Sequence, residues 1–321
     1  MKRKNRAKKG HRPVRYLKYK GRFGSKGFVS KVELNYIEIP KCVSLSPDGN
    51  ASELIKRLDT SLREPQRVID FRKVDRITIR GGLVLRAYRD EFFSCHGSYP
   101  KIRAPKDKKM KTVLQFLGYE DYGMNHLKYD DIDCWDIRSW DASDDFSETD
   151  IPRLIMEEVI PKCYKKGETF EGISADLASA IAEAINNSSE HAYEGRKKDN
   201  KFRKWYLSCG IYPNSKKIMF CVYDKGQGFK DSMTQNAMWG ISNPFEADYK
   251  YIEKAAQGTS GTREEGRGQG LKTAVAKLNK VNGTVEILSG KGLYSTDPTN
   301  HTRDRRTFID GSVIAFFVPV K

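Results

Sequence analysis

A mixed α/β fold in two units is what this sequence predicts, on three observations. The chain has 321 residues, 38% of them hydrophobic and 11% aromatic, a balance that fits two modest globular domains or one domain with a large lid. Strand-like and helix-like patterns alternate from residue 28 to about residue 128, which implies a small α/β domain. From 151 to 321 a second alternation carries a long helix, paired strands and a glycine-rich turn opening another helix, the elements of an α/β sandwich.

Residues 1–27 hold twelve Lys and Arg and no acid, so the other 46 bases of the chain face 42 acids. The basicity therefore belongs to a tail, expected to be disordered, and not to the whole surface. Val32 to Ile39 alternates as a strand, Ala51 to Leu62 fits a helix, and Val68-Ile69-Asp70-Phe71 fits a second strand. Gly81-Gly82 then opens the apolar run Leu83 to Tyr88, and Lys101-Ile102-Arg103 with the amphipathic Lys109 to Leu117 closes the 28–128 unit.

Residues 129–150 change character, with nine acids against the single base Arg138. This reads as a solvated acidic linker. The alternative is a segment that folds back on the tail or docks a partner through Trp135 and Trp140, since opposite charges attract over a Debye length of about 8–10 Å. Beyond it, after a first helix, a long helix runs from about Ser174, its cap, to Tyr193. Tyr206–Ile211 and Ile218–Tyr223 pair around Pro213-Asn214-Ser215, a helix follows from Lys272 to Val281, Val285–Leu288 is a strand, and Ser312–Val320 is the last.

No apolar run of about 18 residues occurs, and the first 30 residues lack the apolar segment of a secretory signal. The expectation is a cytoplasmic protein with no membrane partner. The six cysteines show no C-x-x-C and no regular spacing, which argues for reduced thiols and against a zinc site or a disulfide framework.

The chemistry concentrates in three places. At about 100° per residue, Glu183, Asn187, Glu190 and His191 share a third of the long helix's circumference, while Leu177, Ala178, Ile181, Ala184 and Ile185 occupy the other side. An Asn one turn from a Glu can give one oxygen to Mg²⁺, a metal that prefers sparse ligation completed by phosphates, while the carboxylate stands near an attacking water or hydroxyl. Next, Asp224 ends an apolar strand before Lys225-Gly226-Gln227-Gly228, where the glycines let backbone turn sharply against a ligand. A buried carboxylate there can accept from an exocyclic amine such as that of adenine; the alternative is a simple turn. Third, the run from Gly258 to Leu271, including Gly266, Arg267, Gly268 and Gly270, opens directly into a helix. Such an opening presents N–H groups and a positive dipole end to polyphosphate. It is neither a Walker A loop, for G-x-x-x-x-G-K-[ST] is absent, nor a Rossmann turn, for no strand precedes it.

In this order, Glu183-Ala184-Ile185-Asn186-Asn187, Asp224-Lys225-Gly226-Gln227-Gly228 and Gly266-Arg267-Gly268-Gln269-Gly270-Leu271 resemble the N, G1 and G2 boxes of the GHKL ATP-binding superfamily. The resemblance covers about residues 165–321 and implies a Bergerat-type α/β sandwich. It implies ATP and Mg²⁺ as cofactors, Asp224 reading adenine, Asn187 as metal ligand, and 258–270 as the ATP lid, with Gly226, Gly228, Gly266, Arg267, Gly268, Gly270 and Leu271 in the binding boxes. Gly311-Ser312 is similar to the Gly-Thr of the last strand, so Ser312 would support the adenine contact. The run Glu183 to Tyr193 looks most like the anti-sigma-factor serine-kinase branch, which implies Glu183 as catalytic base and, by analogy, a homodimer.

Val68 to Val74 with Gly81-Gly82 and the helix after it resembles the STAS domain of anti-sigma-factor antagonists, the substrates of such kinases. The family's Asp-Ser-Ser-Gly acceptor segment falls on Thr78-Ile79-Arg80-Gly81, so the acceptor serine is absent and the unit is a degenerate STAS-like α/β domain. The expected organisation is a basic tail over 1–27, this domain over 28–128, the acidic linker over 129–150 and the GHKL domain over 151–321. A histidine kinase would need an acceptor His on a dimerising hairpin, which the sequence before the ATP domain does not supply. The expected function is an ATP-binding regulator acting on a protein partner, with kinase or slow ATPase activity. The alternative is a nucleic-acid-associated protein whose tail, with Tyr16, Tyr19 and Phe23 interleaved, holds phosphate and stacks on bases.

Overall fold

Seven strands drawn from residues 126–319 form an antiparallel sheet in the computed structural model. The structure describes residues 36–45, 51–119, 126–129, 132–135, 138–141, 153, 157, 175–190, 192–193, 202–212, 217–234, 245–258 and 269–319. The basic tail, Ser174, His191 and residues 259–268 of the glycine-rich loop lie outside them.

The N-terminal unit is α/β, as its pattern implied. Strands β1 (Tyr36–Glu38), β3 (Val68–Asp70) and β5 (Ile102–Arg103) form a small parallel sheet in the order β1-β3-β5, and β2 (Cys42–Val43) pairs in parallel with β4 (Arg76–Ile77). Around them lie α1 (Ala51–Arg63), α2 (Ile79–His96) and α3 (Lys108–Phe116). Thr78 caps α2: its hydroxyl accepts from the Gly81 amide at 3.2 Å, satisfying one of the orphan donors of the first turn. Gly97, at φ 68°, ends the helix in the left-handed conformation.

Helix α2 has no single apolar stripe. Leu83, Val84, Leu85, Ala87 and Tyr88 are all buried, because the helix is covered on several sides at once. One side belongs to the N-terminal unit. Another meets the large sheet, where α2 contacts β9 (Lys204–Tyr212) and β10 (Lys217–Asp224).

The large sheet runs β11-β12-β10-β9-β7-β6, with β8 also paired to β9; β11 is Thr284–Ser295 and β12 is Arg303–Pro319. Strand β10 explains why its sequence reads as an unbroken apolar run. Ile218, Phe220 and Val222 belong to a core shared with α4 (Ala175–Glu190) and α7 (Gly270–Lys280), while Met219, Cys221 and Tyr223 belong to a core shared with the N-terminal unit. Full burial of each such side chain contributes about 1.5–3 kcal/mol, so both faces stabilise the strand. Two shorter helices, α5 (Gly228–Thr234) and α6 (Asp248–Ala256), complete the described elements, with α6 packed on β11.

Two expectations are corrected. The segment read as an acidic linker contains β7 (Ile132–Trp135) and β8 (Arg138–Asp141), which follow β6 (His126–Tyr129) and join the sheet. Register sets Cys134 against Gly210 and Asp141 against Lys204. These strands lie beyond β9 toward the sheet's margin, where charged residues are favoured because they deter pairing with another chain. The second correction is the stretch between the expected strands Val285–Leu288 and Ser312–Val320, which the sequence leaves as a connector. It is an extension of β11 and β12 as a long antiparallel ribbon, with register shifts at Ser289, Gly290 and Gly292. No helix of the described residues is long and apolar enough to cross a membrane.

Candidate functional site

Helix α4 places its polar and apolar residues as its period required. Leu177, Ala178, Ile181, Ala184 and Ile185 are buried on the sheet side, while Glu183 and Asn187 are only partly covered. The partly covered pair faces the start of α7. A side chain at Gly270 would overlap the Glu183 carboxylate, and it would stand 3.8 Å from Asn187 Nδ2. Glycine at this position lets the helix end approach α4 closely, and it joins the first and third sequence boxes into one locus.

Among the described residues this helix end has no side-chain cap, since Gln269 makes none, and the Thr273 amide donates back to Gln269 O at 2.8 Å. The first-turn amides and the positive dipole end of a helix suit anionic ligands. The Glu183 carboxylate sits beside this end, where the dipole favours it. A polyphosphate placed there would meet a second anion, a repulsion that a divalent cation would relieve. Leu271 points away from this locus and is buried in the core with Ala274 and Leu278.

The ends of the glycine-rich loop are held together. Gln269 Nε2 donates to Gly258 O at 3.1 Å, and Gly258 has φ 89°. Gly266, Arg267 and Gly268, expected in the lid, fall outside the described residues.

One helical position further along α4, Ser188 faces the other box. Its hydroxyl lies 3.0 Å from Asp224 Oδ2 and 3.1 Å from Ala184 O. One hydrogen serves these two acceptors, and the carboxylate is the stronger of them. Asp224 Oδ1 accepts from the Gly226 amide at 2.8 Å, which closes the turn after β10. The carboxylate is 3% exposed at the end of an otherwise apolar strand. Burying it is costly unless donors satisfy it, and the Ser188 hydroxyl and the Gly226 amide supply two.

Neighbouring backbone approaches this turn from two sides. The Gln227 amide donates to Ala192 O at 2.7 Å, and a side chain at Gly226 would overlap the same carbonyl. Gly311, at φ 76°, abuts the turn from β12: a Cβ there would overlap Asp224 O and stand 2.8 Å from Gly226 N. Only glycine meets both demands, a left-handed backbone and no side chain. Next to it, Ser312 is opposite Asp224 in the β10–β12 register, so the two share a face. Ser289 supports this corner by donating to Gly311 O at 3.0 Å and accepting from the Phe229 amide at 3.0 Å; Gly228, at φ 76°, lies against it.

The structure thus brings Glu183, Asn187 and Gly270 to one locus, and Asp224, Gly226, Gly228 and Ser312 to another, with Asn187 and Ser188 as adjacent residues linking them. Sequence reasoning missed Ser188, Ser289 and Ala192. Ser188 follows Asn187 directly, and its helical angle toward the sheet was the available signal. Nothing in the sequence pointed to Ser289. Thr78, the hydroxyl residue of the segment 78–81, is used as a helix cap.

Magnesium needs no cluster of acidic ligands, because phosphates and water complete its shell. The absence of a group of three or more His, Cys, Asp or Glu suited to metal among the described residues is compatible with such sparse ligation. Asn187, with one amide oxygen, and the neighbouring Glu183 fit that role. No protein-family model matches the chain, and no curated protein matches it.

Proposed function

We propose that this chain is an ATP- and Mg²⁺-binding regulatory protein of the GHKL type, in which a degenerate STAS-like unit packs on a Bergerat-type domain and nucleotide state controls a protein partner. The observation that carries the reading is the convergence of three separate boxes through α4: Asn187 and Glu183 abut Gly270 at the start of α7, while Ser188 holds Asp224. The core shared by α4, β10 and α7 brings these distant pieces of sequence together, and their polar residues meet around one turn of α4.

In this reading Asp224 accepts from the adenine amine, with Ser312 beside it on the same face. The start of α7 takes the phosphates. Asn187 supplies an oxygen to the metal, and bound Mg²⁺ neutralises phosphate charge near Glu183. Glu183 is the base for a kinase or slow ATPase step, positioned by its contact with Gly270.

Calorimetric titration with ATP and a non-hydrolysable analogue, with and without Mg²⁺, tests the proposal. Saturable binding that prefers adenine over guanine nucleotides and strengthens with Mg²⁺ is expected. No binding at millimolar nucleotide refutes it. A second reading rests on the twelve bases of residues 1–27: the tail binds nucleic acid, with ATP as a conformational switch. Salt-sensitive RNA or DNA binding lost in a chain starting at Phe28 would favour it, and equal binding by both forms would discard it.

A further inference from the structure

The nucleotide turn is held from a third side, by the N-terminal unit, and here the side chain between the two boxed residues matters. Lys225 is 6% exposed. Its ammonium pairs with Glu91 on α2 and stands 3.4 Å from the centre of the Tyr88 ring, one helical turn earlier. A buried ammonium requires such compensation, and here it comes from outside the domain that carries the turn.

Tyr88 reaches the other strand of the site as well. Its hydroxyl donates to Asp59 Oδ1 at 2.7 Å and lies 3.4 Å from Asp310 Oδ2. Burial pushes that hydroxyl far above the usual phenol range, with Tyr223, Asp59 and Asp310 adding to the effect, so it remains a donor. Asp310 immediately precedes Gly311 and accepts from the Tyr223 hydroxyl through its carbonyl at 3.4 Å. One face of α2 therefore touches the residue after Asp224 and the residue before Gly311. Those contacts flank the end of β10 and the middle of β12, which present Asp224 and Ser312.

We infer that Glu91, acting through Lys225 and beside Tyr88, is a positioning residue of the nucleotide site, so that the N-terminal unit sets nucleotide affinity. This rests on the ATP reading above. Displacing α2 would remove the Glu91 and Tyr88 partners of Lys225 and the Tyr88 contact to Asp310, and so release one of the sides that hold the Asp224–Gly226 turn. By linkage, ATP also favours the docked position of α2, and a ligand that shifts α2 weakens ATP binding.

The test uses the full chain with Glu91→Gln, Lys225→Met and both together; the double variant removes both charges, so no buried ion is left alone. Each single variant is expected to raise the ATP dissociation constant about tenfold, with the double variant raising it no further, because the two residues act as a unit. In the nucleotide-free protein, hydrogen exchange of the Gly226–Gly228 amides is expected to quicken in Glu91→Gln, while α4 amides hold their rates. Unchanged ATP affinity together with unchanged exchange at Gly226–Gly228, with or without a fall in Tm, would overturn the inference and leave a purely structural ion pair. If the parent chain binds no ATP, the function proposed above falls, and the exchange measurement still decides whether Glu91 positions the turn.

Discussion

Replacing Asp224 by Asn separates recognition from stability, because the internal bonds of the residue survive the change. One carbonyl oxygen can still accept from the Gly226 amide, 2.8 Å from Asp224 Oδ1. The new amide group can donate to Ser188 Oγ, 3.0 Å from the replaced oxygen, while that hydroxyl turns its hydrogen fully toward Ala184 O at 3.1 Å. The adenine amine, in contrast, would meet a donor where it needs an acceptor. A hydrogen bond to a charged group contributes about 1.5–3 kcal/mol. The loss of ATP affinity is therefore about 10- to 150-fold, with the folded state nearly as stable as before. Guanine presents an acceptor where adenine presents the amine, so GTP is expected to lose little and to gain relative to ATP. Calorimetric titration of both nucleotides, with a thermal melt of each protein, reads the three quantities. Unchanged ATP affinity, or an equal fall for ATP and GTP, would refute the assignment of Asp224.

Glu183→Ala is expected to abolish any turnover while leaving ATP affinity largely intact; equal turnover in a coupled phosphate assay would remove the base role. Gly270→Ala removes a glycine from the first residue of α7, worth up to about 1 kcal/mol of helix stability, but pushes the Glu183 carboxylate aside. Melting temperature held or raised, with lowered turnover, is the expected result, and undiminished turnover contradicts it. Gly226→Ala, whose Cβ would overlap the Ala192 carbonyl, is expected to cost about 1–3 kcal/mol in a denaturant titration; a neutral effect contradicts the close approach. Burial raises the Asp70 carboxyl, but the hydrogen bonds and charge of Arg72, with Arg103, outweigh it and hold the group below the usual range. A carboxyl depressed in the folded state stabilises at pH above its unfolded value of about 3.9 and stops doing so as pH falls through the folded value. Asp70→Asn is thus expected to be less stable than the parent at neutral pH, with the gap closing below about pH 4 in melts; a gap independent of pH contradicts the Arg72 pairing.

Legibility differed between elements for physical reasons. Helices α1 and α4 could be read because each buries one stripe, so Leu54, Ile55 and Leu58, or Leu177, Ile181 and Ala184, recur with the helical period. Helix α2 was legible only as an apolar run, since its several covered sides erase the period. Strands β7 and β8 were missed because nine acids among 22 residues outweighed a short alternation, and such charge density is tolerated in strands near a sheet margin. In the site, Glu183, Asn187 and Asp224 were visible as residue types at suitable spacing. Ser289 was not, because its bonds to Gly311 and Phe229 depend on a bulge where β11 slips register against β12.

By itself the sequence determined the α/β class, most strand and helix positions, and the three chemical boxes, because local period and glycine placement record backbone conformation. It also placed the excess of positive charge in the first 27 residues. Tertiary structure alone decided that the N-terminal unit covers the second face of the large sheet, and that Lys225 is paired with Glu91 across 134 positions of chain. The reason is that burial on the far side of a strand, and the partner that neutralises a buried charge, are set by which distant elements come into contact. No local pattern carries that information.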